Sequence, residues 1–302
     1  MSTYRLIATS AFGLESITNR ELNRLGIQNT VVSNGRIDFT GTDEDIAKTN
    51  IWLRTADRVL LLLAEFNAVT FEELFVGVSS VNWADILPEN ANIHVVGKSI
   101  KSTLFSVPDC QSITKKAIIE KLKKKYNRDF FEEDGIEYKI SVSILNNVVS
   151  LTLDTSGPGL HKRGYRRLAG EAPLKETLAC ALLMLSFWKG ERLLVDPLCG
   201  SGTIPIEAAM IALNQAPGLR RRFACEQWGF MKSDTFSYAR EQAIAEIKTD
   251  LDLHIYGSDI DPKAISLSML HAEEAGVDEY IHLKQMNVRD FYSSEEYGFM
   301  IT

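Results

Sequence analysis

The stretch Leu193-Leu194-Val195-Asp196-Pro197-Leu198-Cys199-Gly200-Ser201-Gly202-Thr203-Ile204-Pro205-Ile206-Glu207 reads as an apolar strand, a glycine turn and the start of a helix. Glycines at 200 and 202 let the backbone turn sharply and admit a ligand without interference from a Cβ. The following helix presents free N–H groups to whatever sits above the turn. The pattern predicts a site for a nucleotide-like small molecule at the carboxyl end of a parallel strand. A dinucleotide turn wants a third glycine for close helix–strand packing. Pro205 stands there instead, which suits a first helical turn but blocks that approach. The strand also ends in Asp196, which repels a pyrophosphate and attracts the amino group of an amino-acid-like ligand. A nicotinamide cofactor is disfavoured on both counts.

Two further segments extend the pattern. Leu253-His254-Ile255-Tyr256-Gly257-Ser258-Asp259-Ile260-Asp261-Pro262 is a short strand ending in acid, with a helix opening at Pro262. Asp261 is placed to cap that helix, which leaves Asp259 at the strand tip to accept hydrogen bonds from two ribose hydroxyls. Within Ile281 to Phe291 an alternating strand is followed by Asp290, which can accept an adenine amine, with Ile260 or Phe291 against the ring. Tyr297 to Thr302 is a fourth strand, and the whole is a doubly wound parallel pattern. The first turn and the ribose acid lie roughly 60 residues apart, against about 20 in a dinucleotide unit. Residues 214–252 therefore hold an insertion, which contains Arg220-Arg221-Arg222.

Asp196 to Thr203, together with His161-Lys162-Arg163-Gly164-Tyr165-Arg166 and Ala172-Pro173-Leu174-Lys175-Glu176-Thr177-Leu178-Ala179, closely resembles the THUMP-domain RNA methyltransferases. Within them the chain is most similar to the bacterial large-subunit ribosomal RNA guanine-N2 methyltransferases, whose members are often labelled adenine-specific DNA methylases. The resemblance runs from about Tyr4 to Thr302. It implies an α/β and α+β chain with a ferredoxin-like domain at 1–53, a THUMP RNA-binding domain at 54–155, a linker at 156–168 and a Rossmann-like methyltransferase domain at 169–302. The implied cofactor is S-adenosyl-L-methionine. Thr177, Asp196, Pro197, Cys199, Gly200, Ser201, Gly202 and Thr203 would hold its methionine end, Asp259 its ribose, and Ile260, Asp290 and Phe291 its adenine. In this family an Asn-Pro-Pro-Tyr tetrad that holds the target amine follows the fourth strand. It is expected just beyond Thr302, so no catalytic residue is assigned within the chain, and the methyltransferase domain is expected to be C-terminally truncated.

Composition fits a soluble cytoplasmic protein with no membrane partner. The 302 residues are 45% hydrophobic, ample for about two packed domains on the length prior. No apolar run approaches the ~20 residues of a membrane span, and no leader-like segment opens the chain. Cysteines at 110, 180, 199 and 225 show no Cys-x-x-Cys spacing, which argues against zinc or a disulfide framework. Cys199 reads better as a small residue fitting a tight turn than as a reactive thiol.

The net charge of −7 does not itself favour nucleic acid, because a polyanion needs a basic surface and not a basic total. Ser112 to Tyr126 reads as a helix with Ile113, Ala117, Ile118 and Leu122 on one face and lysines elsewhere. Lys115, Lys116, Lys123 and Lys124 there, with Lys162, Arg163, Arg166 and Arg167 in the linker, are the candidate contacts to RNA phosphates. A solvated face explains each cluster taken alone. Their segregation from acidic runs such as Glu132-Glu133-Asp134 favours a binding surface. The link to RNA comes from the resemblance, with 23S ribosomal RNA or a large-subunit assembly intermediate as the implied partner. Two alternatives stay open: an adenine-N6 methyltransferase of DNA, and a chain that binds RNA without catalysis.

The N-terminal half has its own punctuation. Asn34-Gly35 between extended runs predicts a hairpin, Gly26 closes a helix over Leu14 to Leu25, and Thr42 caps another over Asp43 to Asn50. Turn residues cluster at Ser156-Gly157-Pro158-Gly159, marking the linker.

Overall fold

Asn34-Gly35 turns the chain between β2 (Val31–Ser33) and β3 (Arg36–Gly41), with Gly35 at φ +73, in a computed structural model that describes residues 3–166 and 174–302. The hairpin joins β1 (Tyr4–Ser10), β4 (Ala56–Asn67), β5 (Asn92–Ile100), β6 (Glu137–Leu145) and β7 (Val148–Asp154) in one sheet, ordered β2-β3-β1-β4-β7-β6-β5. Its neighbours run antiparallel except β5 and β6. The long β4 pairs with β1 on one side and β7 on the other, so the expected boundary at residues 53/54 falls inside one continuous sheet.

Helices α1 (Glu15–Arg24), α2 (Asp43–Trp52), α3 (Phe71–Ser79) and α4 (Val107–Tyr126) accompany this sheet. Thr42 caps α2 in a reciprocal box: Asp45 N–H donates to Thr42 Oγ1 at 3.4 Å and Thr42 N–H to Asp45 Oδ2 at 2.8 Å. In α4, Ala117, Ile118 and Leu122 are buried and Lys116, Lys124 and Lys125 are exposed, as an amphipathic stripe requires.

The remaining helices are α5 (Glu176–Ser186), α6 (Thr203–Ala212), α7 (Thr235–Ala245) and α8 (Pro262–Ala275). Of these, α5, α6 and α8 frame a second, parallel sheet of β8 (Leu194–Asp196), β9 (Ile255–Asp259), β10 (His282–Gln285) and β11 (Phe299–Met300), ordered β10-β9-β8-β11. From β8 the chain adds β9 and β10 on one side, then returns to place β11 on the other. That reversal puts a crevice at the carboxyl end of β8, where open α/β sheets bind ligands. Two sequence expectations change here. The third strand stops at Gln285, so Asp290 lies in a short 3-10 turn, and the fourth covers only Phe299–Met300. No helix among the described residues is long and apolar enough to cross a membrane.

The insertion belongs in space to the first sheet. Phe223, Cys225, Trp228, Met231, Phe236 and Ala243 are buried in that sheet's core, and the Trp228 ring stacks on Tyr138 at 5.5 Å. Gly218 packs so closely that an added Cβ would stand 2.7 Å from the Cα of Ile51 on α2. The C-terminal half thus reaches back and grips the N-terminal half.

Candidate functional site

The turn after β8 is built from backbone bonds and two left-handed glycines. Gly202 N–H donates to Cys199 O at 2.8 Å and Cys199 N–H to Ser258 O at 2.9 Å, tying the turn to β9. Gly200 and Gly202 sit at φ +51 and +80, where an L side chain is strained. A Cβ on Gly202 would also lie 2.8 Å from Ser268 Cβ of α8. Pro205 is accommodated because the facing residue on β9 is Gly257, whose added Cβ would be 3.1 Å from the proline ring. The close approach that a third glycine would give this helix is supplied by a glycine on the neighbouring strand.

Asp259 holds the turn from β9. Its Oδ2 accepts from Gly200 N–H at 3.0 Å and its Oδ1 from Asp261 N–H at 2.9 Å. Each oxygen keeps a free lone pair for a further donor. Asp261 accepts from Lys263 N–H at 2.9 Å as the N-cap of α8. A cavity of about 650 Å³, within the usual range for small-molecule sites, opens beside the turn. Asp196, Cys199, Gly200, Ser201 and Thr203 line it, so the structure brings these predicted residues together. Asp261, Lys263 and the apolar Leu174 and Leu182 also line it, and sequence reasoning assigned none of them to a ligand.

Burial pushes the Asp196 carboxyl up to about 6; N–H donation from Leu198 and the Thr302 hydroxyl pull it back, while the Asp259 charge adds to the rise. Burial, with the Asp196 and Asp259 charges, pushes the Cys199 thiol up to about 12. That thiol stays protonated at neutral pH, and its role is to fit the turn.

The other predicted residues are dispersed. Thr177 is buried in the first turn of α5 and does not line the cavity. Ile260 and Asp290 are exposed beyond the ends of β9 and β10. Phe291 lines a different cavity, with Leu193, His254 and Tyr256 near the amino ends of β8 and β9, because the chain turns back after Asp290 to begin β11.

The basic candidates divide sharply. Lys116, Lys124 and Lys162 are exposed and form no ion pair among the described residues. Lys115 pairs with Glu133 at 2.7 Å and Lys123 with Glu120 at 3.3 Å. Two expectations are overturned. Arg163 is 3% exposed and donates to Glu207 at 3.3 Å, Leu160 O at 2.6 Å and Arg54 O at 2.5 Å, which leaves it no surface for RNA. Arg166 also points inward, onto Ser201 and Thr203 of the turn. Arg167 and Pro173 lie outside the described residues. Arg221 of the insertion is a linker clamp: it donates to Gly159 O at 2.7 Å, Lys162 O at 3.0 Å and Ser156 O at 3.2 Å, and also to Pro158 O. Burial beside Arg163 and Arg58 lowers its pKa to about 10.

Sequence reasoning missed Glu207. It is fully buried on α6 and accepts from Arg163, from Tyr165 Oη at 3.1 Å and from Cys180 Sγ at 2.8 Å. The available signal was an acid within the apolar run Ile204 to Met210.

Comparison with known proteins places matches along the chain. An RlmL ferredoxin-like domain matches residues 5–60, a THUMP domain 68–154 and an RMKL-like methyltransferase domain 163–302. The chain is similar to a Bacillus subtilis (strain 168) protein named "Putative RNA methyltransferase YpsC", 47% identical over 303 residues, covering 100% of this chain and 78% of that protein. A Listeria monocytogenes crystal structure, described as "a predicted N6-adenine-specific DNA methylase", matches with a TM-score of 0.96 and 47% identity, over 99% of this chain and 79% of that one. The crystal structure of SMU.472, described as "a putative methyltransferase complexed with SAH", matches with a TM-score of 0.94 and 42% identity, over 99% of this chain and 80% of that one.

Proposed function

Because the chain belongs to the family that joins RlmL ferredoxin-like, THUMP and RMKL-like methyltransferase domains, we propose that it methylates an exocyclic base amine in RNA, guanine N2 of large-subunit ribosomal RNA. S-adenosylmethionine is the methyl donor. The observation that carries the site assignment is the meeting of Asp196, the 199–203 turn and Asp259 at the strand-order reversal.

The residues fit that cofactor. A buried carboxylate faces a cavity that would receive an ammonium, and Gly200 leaves part of the turn free of a side chain beside it. Asp196 and residues 197–203 would hold the methionine end, Asp259 the ribose, and Asp290 with Ile260 the adenine. The bound cofactor supplies an electrophilic methyl group on a sulfonium. The chain contributes position and field: its turn and acids fix the donor, and its exposed Lys116, Lys124 and Lys162 attract phosphates. Loop or single-stranded RNA is favoured, since the base must leave its stack to be modified. The THUMP match and the RNA methyltransferase relative support RNA as the partner.

Asp196 gives a pH dependence. Its pKa of about 6 means that the free protein favours the protonated form, a preference that adds stability below the unfolded value and is lost as pH rises through 6. An ammonium ligand needs the ionised form. Cofactor affinity should therefore rise about tenfold from pH 5 to pH 7, with proton release on binding near pH 5.5. Calorimetric titrations across that range check this, and a flat profile contradicts it.

The target is tested by incubating the chain, alone and joined to the Asn-Pro-Pro-Tyr segment expected after the fourth strand, with isotopically labelled S-adenosylmethionine and deproteinised large-subunit RNA, then identifying the labelled nucleoside by mass spectrometry. N2-methylguanosine is expected. Label in adenine of duplex DNA would establish the DNA reading. Binding of both RNA and cofactor without transfer would contradict catalysis by this chain.

A further inference from the structure

Arg166 closes the described part of the linker and turns toward the cofactor turn. Its guanidinium donates to Ser201 Oγ at 3.2 Å, to Thr203 Oγ1 at 3.0 Å and to Leu174 O at 3.0 Å, and it pairs with Glu176 at 2.9 Å. A guanidinium has donors only, so each hydroxyl oxygen is the acceptor in these bonds. Each hydroxyl proton must then point away from Arg166. Ser201 and Thr203 both line the cavity, and neither hydroxyl donates to another group among the described residues. Thr203 also opens α6, whose first N–H groups lack helical partners. Glu176 balances the guanidinium charge, so Arg166 acts by setting direction more than by adding net charge.

We infer that Arg166 is a positioning residue that aims the Ser201 and Thr203 hydroxyls at the carboxylate of the cofactor's amino-acid end. The inference rests on the assignment of this cavity to S-adenosylmethionine and adds a specific subsite to it. Asp196 in the same cavity suits the ammonium, so the pair of subsites reads a zwitterion. The linker between the RNA-binding and methyltransferase parts thereby touches the cofactor turn directly.

Titration with S-adenosylhomocysteine and with 5′-methylthioadenosine, which lacks the amino-acid end, separates this role from a structural one. Arg166→Met should weaken S-adenosylhomocysteine by about 10- to 100-fold and leave methylthioadenosine within about twofold. Adding Ser201→Ala to Arg166→Met should cost little more, since the two act as one unit. Arg166→Lys provides a second reading if the Met variant melts early. It keeps a charge beside Glu176 but loses the planar fork, and should show the same selective loss. Equal weakening of both ligands would make Arg166 a structural strut and overturn the inference. An unaltered chain that binds neither ligand would overturn the cavity assignment instead.

Discussion

Glu207→Ala lowers the free energy of unfolding by about 3–5 kcal/mol, as expected when one member of a buried ion pair is removed. Glu207 is completely buried, and among the described residues its one charged hydrogen-bond donor is Arg163, itself 3% exposed. Burial lowers the Arg163 pKa, and the Glu207 charge, joined by Cys180, Tyr165 and Glu176, outweighs it, so the guanidinium is held charged. Without Glu207, that charge stays buried with two carbonyls and the Cys180 sulfur as neutral acceptors, and Tyr165 and Cys180 lose their shared acceptor. Glu207→Gln keeps shape and part of the hydrogen bonding and should cost less. Urea unfolding measures both, and a loss below about 1 kcal/mol for the alanine variant contradicts the account. The damage should also reach the domain junction, since Arg163 bonds Arg54 O, and Arg54 in turn donates to Gln215 O at 2.9 Å.

Asp259→Ala is expected to remove measurable cofactor binding and leave RNA binding unchanged. The carboxylate does two jobs that alanine cannot do. It fixes Gly200 N–H and Asp261 N–H, so its loss releases the turn and the N-cap of α8 together. It also offers the remaining lone pairs that would accept the ribose hydroxyls. Each charge-assisted bond lost costs about 1.5–3 kcal/mol, so two are enough for a fall of at least about 100-fold. The exposed lysines of α4 do not contact this acid, so RNA affinity should hold in a parallel gel-shift measurement. Loss of both affinities in a folded variant would show that the two functions are not divided as proposed.

Local chemistry made much of the fold readable. Asn34-Gly35 and Thr42 act over a few residues, and each forms the turn or cap its side chain favours. The octet from Asp196 to Thr203 likewise encodes its turn within itself. The partners of the arginines could not be read in this way. A basic run does not say which way its side chains point, and Arg163 and Arg166 turn inward because Glu207, Ser201 and Thr203 await them 35 to 44 residues later. Arg221 became a clamp because the insertion folds onto the first sheet, a long-range packing that no local pattern announces. Asp290 and Phe291 were placed together on the assumption of a longer strand. β10 ends at Gln285, and the turn that follows sends the two side chains apart.

The most direct test of the central claim is calorimetric titration of the unaltered chain with S-adenosylmethionine at pH 7, with NAD as the control. The account predicts one-site binding of S-adenosylmethionine and none of NAD, because Asp196 favours an ammonium and repels a pyrophosphate. Binding of NAD, or no binding of S-adenosylmethionine by a chain shown to be folded, would contradict the assignment of the Asp196–Gly200–Asp259 turn as the cofactor site.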